Sequence, residues 1–137
     1  MNKELFFLKL AKLTSELGTC PRARVGAVVV VGDRLVSTGY NGAARGEKHC
    51  GCILDEGGRC VKAVHAEANT VINAAYHGIS TKDGVMYCTH SPCDRCLPLL
   101  INAGIKQVIY IEDYNHRVAS LQHNNQINIE KSLYFDI

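Results

Sequence analysis

The 137-residue chain has no tryptophan, only 3 prolines and almost no excess of charge of either sign. Its 15 basic and 13 acidic residues leave a net charge of +2, which argues against a protein that binds nucleic acid. The longest apolar run, residues 25–31 around Gly26, is much shorter than the ~18 residues needed to span a membrane. With 47% hydrophobic and 20% charged residues, the composition excludes a disordered chain and predicts one globular domain over residues 1–137.

The N-terminus has no apolar segment of the length that a secretory signal requires, because Lys9 interrupts the run that begins at Leu5. The chain is therefore expected to be cytoplasmic, where thiols stay reduced. In that setting its 7 cysteines stand out, and their odd number argues against a closed set of disulfides. Clustered cysteines in a reducing compartment more often bind metals or take part in catalysis.

Hydrophobic patterning predicts an α/β fold in which strands and helices alternate and helices cover both faces of the sheet. Helices are expected over residues 3–17, 65–76 and 92–103, with a short one near 117–124. Strands are expected over residues 25–31, 34–40, 85–89 and 106–111, and a turn at Gly32-Asp33 makes the first two a hairpin. Glycines that would end the three longer helices follow them, at Gly18, Gly78 and Gly104. Residues 41–61 are expected to form a long glycine-rich loop.

Two short motifs carry the chemistry, namely His65-Ala-Glu67 and Pro92-Cys93-Asp-Arg-Cys96. Each is predicted to open a helix, and a single strand between them places both at the carboxyl edge of the sheet. One imidazole and two thiolates, from His65, Cys93 and Cys96, would fill three positions of a tetrahedral zinc and leave the fourth for water. Because residues two apart do not share a helix face, Glu67 reaches that water only if His65 lies at an irregular helix start. It would then act as general acid and base.

An H-x-E motif followed by P-C-x-x-C is typical of zinc-dependent nucleobase deaminases. Beyond these motifs, the chain resembles the cytidine deaminase superfamily and, within it, the deoxycytidylate (dCMP) deaminase family of bacteria and phages. The resemblance extends over residues 5–114 and rests on the segments at 25–30, 37–42, 49–50, 63–69, 87–93 and 101–106. It implies a three-layer α-β-α fold of the cytidine deaminase type, with a central mixed sheet of about five strands.

The resemblance also implies an activity, the hydrolytic deamination of dCMP to dUMP with release of ammonia, which would supply dUMP for thymidylate synthesis. Water activated by the zinc would attack C4 of cytosine while Glu67 protonates N3 and then the leaving ammonia. The backbone amide of Ala66 would contact the ring O2, and the Ser91 carbonyl would accept from the 4-amino group. Asn41 would hold the sugar, and Tyr114 would close over the site.

Members of this family are typically homohexamers, activated by dCTP and inhibited by dTTP. The resemblance implies an effector site, with Mg²⁺ accompanying the triphosphate, at the segment that contains Gly39, Tyr40, Gly42 and Arg45. Relatives often have Arg or Lys where this chain has Tyr76, which weakens the expectation of effector binding. Residues 115–137 do not match the family pattern and receive no functional assignment.

Four further cysteines and His49 surround the 41–61 loop. One interpretation makes the cysteines small apolar core residues, since free cysteine is among the most buried residue types. The favoured interpretation is a second, structural zinc that orders the loop, as some phage relatives have. Its ligands would be Cys20, Cys50 and Cys60, with His49 or Cys52 as the fourth. The remaining cysteine, Cys88, lies in an apolar strand and is interpreted as a core residue.

The phosphate of a nucleotide substrate needs cationic or amide donors. The candidates for this contact are Arg22 and Arg24, which precede the first predicted strand, and Arg45 and Lys48, which follow Asn41. The alternative is that they are solvated surface charges, as most arginines and lysines are. His90 is next to the second motif, and the sequence leaves open whether it lies at the site or caps a helix.

Two other functions compete with dCMP deamination. A superfamily deaminase acting on another cytosine or adenine substrate, either a nucleoside or RNA, would share the zinc motif. The low net charge and the segment Thr38–Gly42 argue against it. A non-catalytic module stabilised by zinc would not need Glu67 two residues beyond a ligand.

Overall fold

The computed structural model describes residues 1–19, 23–48, 56, 62–114 and 125–137. Its helices are α1 (Lys3–Ser15), α2 (Ala66–Tyr76) and α3 (Leu97–Asn102). Its strands are β1 (Gly26–Val31), β2 (Arg34–Tyr40), β3 (Gly42–Ala43), β4 (Ala63–Val64), β5 (Val85–His90), β6 (Gln107–Glu112) and β7 (Asn128–Lys131). No helix in these described ranges is long and apolar enough to cross a membrane.

A mixed sheet of five strands forms the centre of the fold, in the order β2-β1-β5-β6-β7. Strand β1 runs antiparallel to both β2 and β5, whereas β5, β6 and β7 are parallel to one another. The hairpin between β1 and β2 turns at Gly32 and Asp33, whose φ angles of 55° and 65° suit the tight turn predicted there. Strands β3 and β4 pair separately as a two-stranded sheet.

The run of valines in β1 is buried on both faces of the sheet, which makes the fold three-layered. Ala27 and Val29 pack in a cluster that includes residues of α2 and α3. Val28 and Val30 pack on the opposite face, in a cluster that includes Phe7, Leu8 and Ala11 of α1. A strand covered on both faces has no reason to alternate apolar and polar residues, and its sequence does not. The predicted three-layer α-β-α architecture is confirmed.

Two helix ends lie two or more residues from their predicted positions, and three strands were not predicted. The third helix begins at Leu97 and not at Pro92, because residues 94–96 form a turn that carries the second motif. Helix α1 ends at Ser15, two residues before its predicted end. Gly18 is required by close packing, because a Cβ there would lie 2.7 Å from the Asn41 side-chain oxygen. Strand β7 and the short strands β3 and β4 were not predicted at all. The predicted helix near 117–124 lies outside the described residues.

Gly26, at the start of β1, lies where α1 crosses the sheet most closely. A Cβ there would be 2.2 Å from the Ala11 carbonyl oxygen and 2.5 Å from the Ser15 backbone nitrogen. Since backbone atoms cannot move aside as a flexible side chain can, we expect Gly26→Ala to reduce the free energy of unfolding by about 3 kcal/mol. Denaturant unfolding measures this. The control is Gly32→Asn, because a Cβ at this turn position would have no other atom within 4 Å. An equal loss of unfolding free energy in both variants would contradict the packing explanation.

Candidate metal centre and its pocket

The two motifs meet because each lies where a strand gives way to a turn or helix. His65 follows β4 and caps α2 in an extended conformation, with φ −68° and ψ 152°. Glu67 lies in the first turn of α2 and is 4% exposed. Cys93 and Cys96 lie in the turn between β5 and α3. His65 is therefore outside the regular helix, which is the condition under which the sequence predicted that its side chain and that of Glu67 converge.

The donor atoms of His65, Glu67, Cys93 and Cys96 all lie within 4.8 Å of one another. The Nδ1 atom of His65 is 3.3 Å from the Cys93 sulfur and 3.5 Å from the Cys96 sulfur. Zinc bonds of about 2.3 Å to sulfur and about 2.0 Å to nitrogen, at a tetrahedral angle, place those two atoms about 3.5 Å apart. One imidazole nitrogen and two sulfurs at these separations fit a single zinc ion.

The two thiols of the cluster titrate as a pair. A hydrogen bond from Cys96 is the largest influence that lowers the pKa of Cys93, to about 4, and the neighbouring His65 lowers it further. The same hydrogen bond, with burial and the nearby Glu67, raises the pKa of Cys96. The pair therefore favours one thiolate beside one thiol. This is the behaviour expected of a metal-binding pair, whose protons leave as the metal binds.

Glu67 is a buried carboxyl group beside this pair. Burial raises its pKa above the ordinary value, and the negative charge of Cys93 raises it further, whereas His65 acts in the opposite direction. A buried carboxylate whose pKa is raised is a stronger base than an ordinary carboxylate and can return the proton that it takes up. The chemistry available at this position is therefore proton transfer to and from a bound molecule.

A pocket opens onto the cluster, and His65, Glu67 and Cys93 of the cluster line it. Seven of its lining residues were predicted from the sequence as site residues, namely Asn41, His65, Ala66, Glu67, Ser91, Cys93 and Tyr114. Val25 and His90 also line it. Val25 was not predicted as a site residue, because the sequence pattern assigned it only to the first strand. In the structure it directly precedes β1. The sequence analysis did not decide whether His90 lies at the site. Its position at the carboxyl end of a strand is the usual location of a ligand-binding residue in such sheets.

Asn41 is held rigidly at one side of the pocket. Its side-chain oxygen accepts a hydrogen bond from the Val25 backbone nitrogen at 2.8 Å, and its amide nitrogen donates to the Ala23 carbonyl at 2.8 Å. A carboxamide has two N–H donors and two acceptor lone pairs, so one of each is left after these bonds. Asn41 thus fixes the start of β1 and retains hydrogen-bonding capacity at the pocket.

Ser91, which also lines the pocket, connects β6 to Tyr114 through two hydrogen bonds. Its backbone nitrogen donates to the Glu112 carbonyl at 2.9 Å, and its hydroxyl accepts from the Tyr114 backbone nitrogen at 2.9 Å. The hydroxyl therefore fixes the segment after β6 and does not cap a helix. The Tyr114 side chain is 43% exposed at the mouth of the pocket.

Other predicted residues are not brought to this pocket. Arg24 is exposed and is not among the lining residues. Gly39 and Gly42 are packed, since a Cβ would lie 2.4 Å from the Thr70 hydroxyl and 2.8 Å from the Thr19 hydroxyl, respectively. Tyr40 is 39% exposed, and the Arg45 guanidinium lies 4.4 Å from the centre of the Tyr76 ring. Six predicted residues lie outside the described part of the chain, namely Cys20, Arg22, His49, Cys50, Cys52 and Cys60.

The arrangement of one histidine, two cysteines and a buried glutamate also has counterparts in known proteins. The family model described as "Cytidine and deoxycytidylate deaminase zinc-binding region" matches residues 1–112. The chain belongs to this family. The match includes both motifs, and the family predicted from the sequence is confirmed.

Similar proteins include the ComE operon protein 2 of Bacillus subtilis, 38% identical over 112 residues, which cover 80% of this chain and 59% of that protein. The deoxycytidylate deaminase of Schizosaccharomyces pombe is 34% identical over 134 residues, covering 85% of this chain and 40% of that protein. The chain thus spans about half the length of these curated relatives. The crystal structure of the cyanophage S-TIM5 dCMP deaminase in complex with dCMP and dUMP superposes with a TM-score of 0.83 at 31% identity, covering 96% of this chain and 99% of that one.

Proposed function

We propose that the chain is a zinc-dependent deaminase that hydrolyses dCMP to dUMP and ammonia. The observation that carries the proposal is the placement of a buried proton-transfer group, Glu67, beside a three-donor cluster at the base of a pocket. The similarity over nearly the whole length of the S-TIM5 enzyme, which binds dCMP and dUMP, supports this substrate. A purely structural metal site would not need an additional carboxylate or an open pocket.

The chain's own residues account for the proton transfers of this reaction. Glu67 takes one proton from the attacking water and delivers it to N3 as the oxygen bonds to C4. It then takes the second proton of that oxygen and delivers it to the 4-amino nitrogen. The C4–N4 bond breaks, ammonia leaves and the oxygen remains as the carbonyl of uracil. Zinc, when held by His65, Cys93 and Cys96, lowers the pKa of water to about 7 and so provides a nucleophile at neutral pH.

Hydrogen-bonding groups around the pocket orient the base. Ala66 is the first residue of α2, so its backbone N–H has no partner within the helix and suits the O2 atom of cytosine. The Ser91 carbonyl is proposed to accept from the 4-amino group. Asn41 retains a donor and an acceptor for the sugar hydroxyl. Tyr114, at the mouth, would cover the base.

Further features that the family resemblance implies belong to this proposal. They are supply of dUMP for thymidylate synthesis in the cytoplasm, activation by dCTP and inhibition by dTTP with Mg²⁺, a homohexameric assembly, and a second zinc. Its proposed ligands are Cys20, Cys50 and Cys60, with His49 or Cys52. At the proposed effector segment, the Arg45 side chain already stacks on Tyr76, so an effector phosphate would compete with that contact.

The substrate is tested by release of ammonia from dCMP, deoxycytidine, dCTP and RNA by the zinc-loaded protein. We expect kcat/KM for dCMP to exceed that for deoxycytidine by about tenfold to a hundredfold, since charge-assisted contacts to the phosphate are lost with the nucleoside. Parallel assays with dCTP and dTTP test the proposed regulation. Turnover of deoxycytidine or RNA without turnover of dCMP would contradict the substrate and favour another deaminase of the superfamily.

A further inference from the structure

The last residue of β5 lines the pocket, and the last residue of the parallel strand β6 lies beside it. His90 ends β5 and Glu112 ends β6, and the two are paired in the register of the sheet. The His90 Nε2 atom lies 3.4 Å from a Glu112 carboxylate oxygen. His90 lines the pocket, whereas Glu112 is exposed and outside the lining. The pair therefore joins the pocket wall to the protein surface.

A chain of hydrogen bonds fixes the orientation of the His90 ring. The buried Thr89 hydroxyl accepts from the Gly26 backbone nitrogen at 3.1 Å and lies 2.8 Å from His90 Nδ1. If the hydroxyl gives its own proton to Nδ1, the Nε2–H of the neutral ring points toward Glu112 and every group is satisfied. Both ring nitrogens then make hydrogen bonds within the protein, so other neighbours contact the carbon atoms of the His90 ring.

The neighbour that the ring meets is Tyr114. The centres of the two rings are 5.9 Å apart and their planes are inclined by 87°, which is the favourable edge-to-face arrangement. The Tyr114 backbone is fixed separately, by its hydrogen bond to the Ser91 hydroxyl. Because the Tyr114 side chain is 43% exposed, burial alone does not select its orientation. The edge-to-face contact with His90 is one interaction that restrains the tyrosine ring beside the pocket.

On the basis of the proposed function, we infer that His90 is a positioning residue that sets the Tyr114 ring as the wall against which the pyrimidine of the substrate packs. It acts through Tyr114 and makes no contact with the reacting atoms. The effect is expected on substrate binding, since the tyrosine ring packs on the pyrimidine and takes no part in the proton transfers at Glu67. Its loss is expected to raise KM and to leave kcat largely unchanged.

A direct contact between His90 and the substrate phosphate is the competing role, and the surroundings disfavour it. The nitrogen that a phosphate would approach already faces the Glu112 carboxylate, which repels an anion. Burial is the main influence on His90 and lowers its pKa, Glu112 raises it and Lys12 lowers it. The ring is therefore neutral at pH 7 and is a poor anion ligand.

The test combines steady-state kinetics with a spectroscopic probe of the tyrosine ring in the zinc-loaded protein. In protein labelled with 3-fluorotyrosine, the resonance of residue 114 is assigned by its absence in Tyr114→Phe. We expect His90→Ala to shift this resonance toward the exposed value and to raise KM for dCMP about five- to tenfold, with kcat within about twofold. His90→Phe keeps an aromatic edge and is expected to restore KM to within about threefold of the wild type.

The matched control is His77→Ala, because His77 packs edge-to-face on Tyr76, at 5.1 Å and 89°, and is not among the pocket-lining residues. It should leave both KM and the resonance of residue 114 unchanged. If His90→Ala does not fold, His90→Gln, which lacks a ring, replaces it in the comparison with His90→Phe. In Tyr114→Ala, adding His90→Ala should raise KM no further.

An unchanged resonance of residue 114 in His90→Ala would overturn the inference, as would an equal KM in the phenylalanine and alanine variants. A loss of kcat without a rise in KM would overturn it as well. The spectroscopic result is independent of turnover. If the wild-type protein does not deaminate dCMP, the proposed function fails, and the fluorine spectrum alone then decides whether His90 positions Tyr114.

Discussion

Replacing Glu67 with glutamine is expected to lower kcat for dCMP by about a thousandfold or more and to leave the zinc of the cluster bound. Glutamine has nearly the same shape as glutamic acid, so packing at the start of α2 should be preserved. It cannot accept a proton from water or deliver one to N3 or to the leaving amine. Because Glu67 is only 4% exposed, bulk water is poorly placed to take over either transfer.

Two measurements on the same sample separate the possible roles of Glu67. Ammonia release gives kcat, and elemental analysis by mass spectrometry gives the zinc content per chain. Full activity in Glu67→Gln would refute the proton-transfer mechanism. Loss of zinc would show instead that Glu67 is a fourth ligand, which is a real alternative because its carboxylate lies in the 4.8 Å cluster. Glu130→Gln, at an exposed position of β7, is the control for removing one carboxylate.

The convergence of the site could be predicted from the sequence because local signals and topology agree there. A strand separates the two motifs, so both lie at one edge of the sheet, and a histidine just before a helix can turn toward the glutamate two residues later. The structure gives His65 the extended conformation that this requires. Short motifs that depend on chain order and on one irregular residue are the features that sequence patterns describe well.

The start of α3 could not be predicted, because the sequence offers two competing signals. Ser91 and Pro92 are typical of a helix start, but the segment that follows them forms the metal-binding turn. The Ser91 hydroxyl instead accepts a hydrogen bond from Tyr114, a residue 23 positions away. A second proline, Pro98, lies at the first turn of the actual helix. Tertiary contacts decide whether Pro92 or Pro98 marks the start of α3, and local helix propensity carries no information about those contacts.

Strand β7 was missed for a related reason. The buried residues Ile127, just before the strand, and Ile129, within it, alternate with polar ones, which is a strand pattern. This pattern is too short to stand out from a polar tail. The strand owes its stability to parallel pairing with β6, where Val108 is paired with Ile129. An edge strand of 4 residues is specified by its neighbour more than by its own sequence.

Replacing Cys93 with serine is expected to remove one zinc per chain and to abolish deamination of dCMP. The thiolate is the group that the cluster prepares for the metal, since hydrogen bonding from Cys96 lowers the pKa of Cys93 to about 4. A serine hydroxyl does not ionise near neutral pH and is a poor zinc ligand, so two donors would remain where a catalytic site needs three. Zinc should also stabilise the wild-type protein, so that chelation lowers its melting temperature. The melting temperature of Cys93→Ser should not depend on a metal in the cluster.

Cys88→Ala is the matched control, because Cys88 is also a buried cysteine but lies in the core next to Met86 and Val108 rather than in the cluster. Burial raises the pKa of its thiol, so it stays protonated and has no role as a ligand. We expect this variant to lose about 1 kcal/mol of stability, through the small cavity, and to retain the zinc of the cluster and its activity. The zinc content of Cys93→Ser also tests the proposed second, structural zinc site. If the wild-type chain holds two zinc ions and Cys93→Ser holds one, a second metal is bound elsewhere in the chain. If the wild-type chain holds one zinc ion and the variant none, the second site is refuted. Activity that survives in Cys93→Ser after exhaustive chelation would contradict a zinc-dependent reaction at this cluster.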